Sequence, residues 1–132
     1  MVTILYLIRH GETEGADAKR YKGHIDVPLS ENGIKQMERV SNYIYQSTDP
    51  PTQPSPSRGE GKGGGEGRFS NGLSNIYSSD LSRAVKSAEI IAEPHGLKPV
   101  IMPELRERNF GIWEGMSFDE IRVKYPEEFE AW

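Results

Sequence analysis

Apolar and polar positions change rhythm several times along this chain. Val2-Thr3-Ile4-Leu5-Tyr6-Leu7-Ile8 is β-branched and apolar without alternation. That pattern predicts a strand buried on both faces, as in a parallel sheet covered by helices. It stops abruptly at Arg9-His10-Gly11-Glu12-Thr13. Polar residues at the carboxyl end of such a strand are where α/β folds place their ligands. Residues 20–29 read as a loop, and Ser30 is suited to cap the segment after it. Ile34, Met37, Val40, Ser41 and Ile44 recur at helical spacing and predict a helix over about 31–45. Residues 73–77 predict a second short strand, followed by a helix start at Ser78-Ser79-Asp80. Leu81, Ala84, Val85, Ala88 and Ile91 form one apolar face, and Pro94 and Gly96 end that helix. Pro99-Val100-Ile101-Met102 predicts a third strand, and residues 105–115 are irregular. Ser117 with Glu120 spells a capping box ahead of Phe118, Ile121 and Tyr125. Strands alternating with helices point to α/β with a mainly parallel sheet. Three strands make a thin sheet for that class.

Length and composition narrow the picture. The 132 residues allow a single domain. Four Pro and six Gly fall within residues 49–67. At that density no packed core forms, so residues 48–72 are expected to be a disordered low-complexity insertion in that domain. Gly59-Glu60-Gly61-Lys62 inside it suggests a phosphate-binding loop, but Pro56 and Gly63 stand where that motif needs Gly and Ser or Thr. The net charge of −4 provides no basic footprint for nucleic acid. The absence of cysteine excludes a disulfide scaffold, a thiolate zinc site and a cysteine nucleophile. The apolar start is far too short to span a bilayer and lacks a positive leader, so a cytoplasmic, membrane-free setting is expected.

Three histidines remain as candidates for chemistry: His10, His24 and His95. His24 and Asp26 do not by themselves make a metal site. His95, between Pro94 and Gly96, reads as a surface residue at a helix end. His10 lies where a buried strand gives way to polar residues.

The motif Leu7-Ile8-Arg9-His10-Gly11-Glu12-Thr13 resembles the signature of the histidine phosphatase superfamily, the phosphoglycerate-mutase-like enzymes. The resemblance continues through Arg20-Tyr21-Lys22-Gly23-His24-Ile25-Asp26-Val27-Pro28-Leu29-Ser30. It resumes at Ile76-Tyr77-Ser78-Ser79-Asp80-Leu81-Ser82-Arg83-Ala84, and again at Leu105-Arg106-Glu107-Arg108-Asn109-Phe110-Gly111-Ile112-Trp113-Glu114-Gly115. The wording of the last motif is most similar to the α-ribazole phosphatase branch. The resemblance implies a three-layer α/β/α fold and a two-step, metal-free phosphoryl transfer without a cofactor. It implies that His10 is the nucleophile, forming a phosphohistidine. Arg9 and Arg83 match phosphate-binding arginines, whose planar forks suit phosphate oxygens. Glu107 matches the general acid/base, with Glu104, Glu114 and Glu120 as competitors. Such a carboxylate needs a raised pKa, which nearby phosphate charge supplies. Gly11, Thr13, Arg20, Lys22 and Gly23 match pocket-lining positions.

The sequence also departs from the family pattern. Members carry a second catalytic histidine in a late His-Gly segment, and they run on well beyond the Trp-Glu-Gly motif. This sequence has no such segment, so the fold is expected to be incomplete at its C-terminal side. Ala16 lies where many members have Asn, and Lys22 where many have Gln. The expected function is phosphomonoester hydrolysis of a small phosphorylated metabolite, with α-ribazole phosphate of cobalamin synthesis as a candidate. The alternatives are a phosphoglycerate mutase or sugar bisphosphatase, and an inactive remnant.

Overall fold

The computed structural model describes residues 3–16, 19–48 and 72–132. The insertion expected at 48–72 lies outside the described residues, apart from Thr48 and Gly72. Helix α1 spans Glu31–Ser47. The Ser30 side chain accepts from the Gly33 amide and so satisfies one of the first turn's free donors, as its position predicts. Gly33, Met37, Ser41 and Ile44 form its buried face. Strand β1 is Tyr77–Ser78, helix α2 is Ser82–Ala92, and strand β2 is Val100–Ile101. Helix α3 is Phe118–Lys124 and helix α4 is Pro126–Ala131. Short 3-10 turns occupy Glu93–His95, Pro103–Leu105 and Gly111–Trp113, so the stretch read as irregular is partly turned. Gly96 stops the turn after α2 in the left-handed region at φ 65°, where a side chain would be strained.

The architecture is α/β. β1 and β2 pair in parallel, Tyr77 opposite Val100 and Ser78 opposite Ile101. α1 packs on α2, and the Ser41 hydroxyl donates to the Ile90 carbonyl at 3.1 Å. The centre of this packing is Met37, Ile44, Ala88, Ile91 and Ala92. A second cluster gathers at the other end of the chain. Tyr21 stacks against Phe110 and Phe118, with ring centroids 4.6 and 4.9 Å away, and meets Trp132 edge-on. Under it lies Ile121, which is fully buried, on the helix opened by the Ser117–Glu120 capping box.

Three expectations need correction. The strand expected over residues 2–8 is not formed at residues 3–8. Residues 3–9 make no backbone hydrogen bond to any other described residue, and a strand exists only through its partner. Nor is the segment buried, since Leu5 is 78% exposed and Leu7 88%. The helix expected from Ser78 starts instead at Ser82, with Leu81 in extended backbone as its cap. Its buried face is Arg83, Ser87, Ala88, Ile91 and Ala92, so it carries a charge and a hydroxyl that an apolar pattern misses.

Burial sets the expected response to truncation. Ile44, 1% exposed, sits between α1 and α2. Ile44→Ala is expected to lower the unfolding free energy by about 2–5 kcal/mol in urea titration. Leu7→Ala is expected to lower it by less than about 0.5 kcal/mol. A loss well above that at Leu7 would mean the apolar segment is covered in solution.

Candidate functional site

The site gathers around one side chain. Arg83 lies in the first turn of α2 and is 1% exposed. A cation there is buried and also faces the positive end of the helix dipole. The helix has no acidic residue in that turn to offset it. Carbonyls do the work instead. Nη1 donates to the Ile25 carbonyl and Nη2 to the Gly23 carbonyl, both at 2.7 Å. Nε donates to His10 Nε2 at 3.2 Å. Glu107 Oε2 lies 3.8 Å from Nη2, with its side chain 48% exposed. Carbonyl dipoles solvate the guanidinium without neutralising its charge, and Glu107 is the carboxylate paired with it among the described residues.

His10 is positioned by both ring nitrogens. Nδ1 lies 2.7 Å from the Gly11 carbonyl, which can only accept. Nε2 faces the Arg83 Nε–H, which can only donate. The network therefore assigns a neutral ring with its proton on Nδ1 and a lone pair on Nε2. Burial lowers the His10 pKa below its ordinary 6.5, and the Arg83 and Arg9 charges push it the same way. The Gly11 hydrogen bond and Glu107 oppose them. The ring is thus held in its neutral form, whose Nε2 lone pair accepts from Arg83.

Glycine brings the His10 segment close to α1. A Cβ on Gly11 would collide with the Gly33 backbone, and one on Gly33 with the Glu12 backbone. The two main chains pass at a distance only glycine allows. The Gly11 amide also donates to Ser87 on α2. Thr13 is buried and bridges antiparallel to Leu29. Its hydroxyl accepts from Lys22 Nζ, which also donates to the Glu14 carbonyl at 2.8 Å.

The structure brings together His10, Gly11, Gly23, Arg83 and Glu107. Lys22 and Thr13 pair with each other beside Gly23. Arg9 is exposed, and its charge reaches His10. Arg20 is elsewhere: it donates to the Gly115 carbonyl at 2.7 Å and forks onto Glu120 at 2.5 and 3.1 Å. The expectation that Arg20 lines the His10 pocket is therefore not met, because an ion pair with α3 holds it. Two of the three competing carboxylates are also occupied. Glu114 Oε1 accepts from the His24 and Phe110 amides, and Glu120 from the Ser117 amide and Arg20. Glu104 is exposed.

Sequence reasoning missed the residues that brace this site. His24 Nε2 bonds the Glu107 carbonyl at 2.8 Å. Asp26 accepts from both the amide and the hydroxyl of Ser82, tying the loop to the start of α2. Those two bonds hold the Asp26 carboxyl below its ordinary pKa. Arg106 forks onto Asp80 at 2.6 and 2.5 Å beside Glu107. All four lie inside the quoted motifs, but nothing in their types marks them as braces. His95 is not the surface residue expected. Its Nε2 is buried without a partner, its ring packs edge-on against Tyr45, and burial lowers its pKa. Among the described residues no cluster of His, Cys, Asp or Glu forms a metal-binding set, and no helix is long and apolar enough to cross a membrane.

Comparison with known proteins agrees with this frame. The profile of the Histidine phosphatase superfamily (branch 1) matches residues 5–54 and 67–132. The chain belongs to that superfamily. It is 35% identical over 128 residues to the "Probable phosphoglycerate mutase GpmB" of Yersinia pestis, covering 97% of this chain and 46% of that protein. The chain thus spans about half the length of such relatives. It superimposes on mycobacterial glucosyl-3-phosphoglycerate phosphatase complexed with VO3 at TM-score 0.69 and 27% identity, over 93% of this chain and 47% of that one. A candidate α-ribazole-5′-P phosphatase from Escherichia coli K-12 superimposes at TM-score 0.69 and 26% identity, over 95% and 51%.

Burial of the neutral rings has a consequence for stability. His10 and His95 both titrate below their ordinary 6.5 when folded, so the unfolded chain takes up protons first as pH falls. The stability they provide is full above about pH 6.5 and is lost as pH falls through the lowered folded values. The double variant His10→Asn/His95→Asn is expected to flatten the fall in unfolding free energy below pH 6.5. An unchanged slope in urea titrations across that range would refute the assignment.

Proposed function

We propose that this chain hydrolyses phosphomonoesters of small metabolites through a phosphohistidine at His10. The observation that carries the reading is the His10 ring itself. Its proton sits on Nδ1 and its lone pair on Nε2, beside the buried Arg83 cation. The incoming phosphoryl oxygens replace His10 as the acceptor of the Arg83 Nε–H, with Arg9 as the second cation. Nε2 then attacks phosphorus, and a P–N bond forms as the ester P–O bond breaks. Glu107, protonated, gives its proton to the leaving alkoxide. As a carboxylate it then takes a proton from water, whose oxygen attacks phosphorus, and the P–N bond breaks. Inorganic phosphate leaves, and His10 returns to its neutral form. Gly11, Thr13, Lys22 and Gly23 border the substrate. No metal or cofactor takes part in this scheme.

The domain is taken as one unit over 1–132, interrupted at about 48–72, in a cytoplasmic setting without nucleic-acid or membrane partners. α-Ribazole phosphate is a candidate substrate, supported by the wording of the Phe110–Gly115 motif and by the E. coli neighbour's name. A mutase reading is favoured by the name of the Yersinia relatives. Product analysis separates the two, since a mutase returns the phosphoryl group to the substrate. The reading of an inactive remnant is the alternative: among the described residues the histidine bonded to Arg83 is His10, while His24 bonds the Glu107 carbonyl.

The test is phosphate release by the purified chain in EDTA, from a phosphomonoester panel that includes α-ribazole phosphate. His10→Ala is expected to lower release by a factor on the order of 10³ or more. Release unaffected by His10→Ala would refute the nucleophile. No release from any ester would favour the remnant.

A further inference from the structure

Arg83 and Glu107 come to the site from different parts of the chain, and one residue is bonded between their supports. The Gly23 and Ile25 carbonyls both accept from Arg83. His24, between them, serves a different target: its Nε2 lies 2.8 Å from the Glu107 carbonyl. A carbonyl can only accept, so the His24 ring proton lies on Nε2. Asn109 agrees with that assignment. Its Oδ1 accepts from the Gly111 amide at 2.7 Å, which leaves its Nδ2 facing the His24 Nδ1 lone pair at 3.5 Å. The His24 amide donates to Glu114 Oε1, which also accepts from the Phe110 amide. Gly23 permits this approach: its φ is 48°, and a Cβ there would strike the Glu114 carboxylate. Ring and main chain of His24 thus both fasten the Arg83-binding loop to residues 107–114. Glu107 has little else to place it. Its side chain is 48% exposed, and its carboxylate lies 3.8 Å from Arg83, beyond hydrogen-bond reach. Among the described residues, the hydrogen bond that Glu107 makes is the one from His24. Neighbouring Arg106 is held separately, by its side chain on Asp80.

We propose that His24 is a positioning residue for the general acid: its Nε2–H holds the Glu107 backbone at the spacing from Arg83 at which the carboxyl group meets the leaving oxygen. This rests on the reading of Glu107 as the proton donor to that oxygen. The role is confined to esters that need the proton. When the P–N bond forms from an alkyl ester, the group expelled is an alkoxide, which must be protonated as it leaves. A nitrophenolate leaves as the anion. Displacing Glu107 therefore slows the alkyl ester and spares the nitrophenyl ester, whereas loosening the whole site slows both.

The test compares kcat/KM for glycerol 3-phosphate and 4-nitrophenyl phosphate, because kcat/KM covers the steps through departure of the leaving group. His24→Asn keeps a polar side chain that stops short of the Nε2 position. It is expected to lower kcat/KM for the alkyl ester about 10- to 100-fold, as a misplaced acid does, and to leave the nitrophenyl ester nearly unchanged. His24→Gln, whose amide N–H reaches the place of Nε2, is expected to restore the alkyl ester. In a Glu107→Gln background, His24→Asn is expected to add no further loss, since it acts through that carboxyl group. In the wild type, nitrogen-15 chemical shifts of the His24 ring are expected to show the proton on Nε2. A proton on Nδ1 overturns the proposal without any variant, and melting curves identify variants that fail to fold. Equal loss for both esters in His24→Asn, or a full further loss in the Glu107→Gln background, also overturns it and leaves the His10 nucleophile intact. Glu107→Gln that weakens both esters alike overturns the general-acid reading beneath it. Wild type that releases phosphate from neither ester overturns the hydrolase reading, and this proposal with it.

Discussion

A buried guanidinium organises this molecule. Arg83 reaches segments that are far apart in sequence: the loop at Gly23–Ile25, the nucleophile candidate His10 and the carboxylate Glu107. Removing such a cation from water costs several kcal/mol unless it is bonded on every side. Each bond that reduces this cost also places a residue of the site. The loop carbonyls turn inward because Arg83 needs acceptors, and His10 offers its Nε2 for the same reason. The fold's most demanding electrostatic requirement and the geometry of the site are therefore one arrangement. Its position in the first turn of α2 makes the requirement sharper, since the helix dipole there opposes a cation.

Around that centre, the frame is held by interactions that are individually modest. Asp26 ties the loop to the amide at the start of α2, and Arg106 forks onto Asp80 beside it. Glu114 receives two backbone amides from two different loops. These carboxylates are structural because backbone or arginine donors already occupy them. Glu107 differs in having, among the described residues, only the distant Arg83 as a charged partner. That difference in occupation separates Glu107 from Glu114 and Glu120, and its place against Arg83 separates it from the exposed Glu104.

Much of this was legible in the sequence, and the reasons differ by feature. Ser30 and the Ser117–Glu120 box were readable because capping is local: the donor and acceptor lie within three residues. The α1 face was readable because its period is regular. The His10, Arg83 and Glu107 candidates came from wording shared with a family, and the geometry places them together. What failed was non-local. Residues 2–8 have the composition of a buried strand, but pairing depends on a neighbour that a strand cannot encode in itself. The inward face of α2 includes Arg83 and Ser87, and a hydrophobic pattern cannot signal a polar residue whose partners lie 58 to 76 positions away. Arg20 fits the family wording, yet it pairs with Glu120, a hundred residues on.

The stretch 55–66, which the family profile leaves unmatched, bears on how far such a frame tolerates change in its connections. It falls between Thr48, the cap of α1, and Leu73, ahead of β1. Every bond that builds the site joins residues before Thr48 to residues after Gly72, or lies wholly on one side. The helices on either side of that stretch meet directly, through the Ser41–Ile90 hydrogen bond and with Ile44 and Ile91 both buried. Closing a connection costs free energy that grows only logarithmically with its length, about 0.6 kcal/mol for each doubling. A connection several times longer thus adds a penalty comparable to one hydrogen bond. Arg83 alone makes three hydrogen bonds across the gap. The family profile matches on both sides of residues 55–66, and the bonds named above join its two matched segments directly.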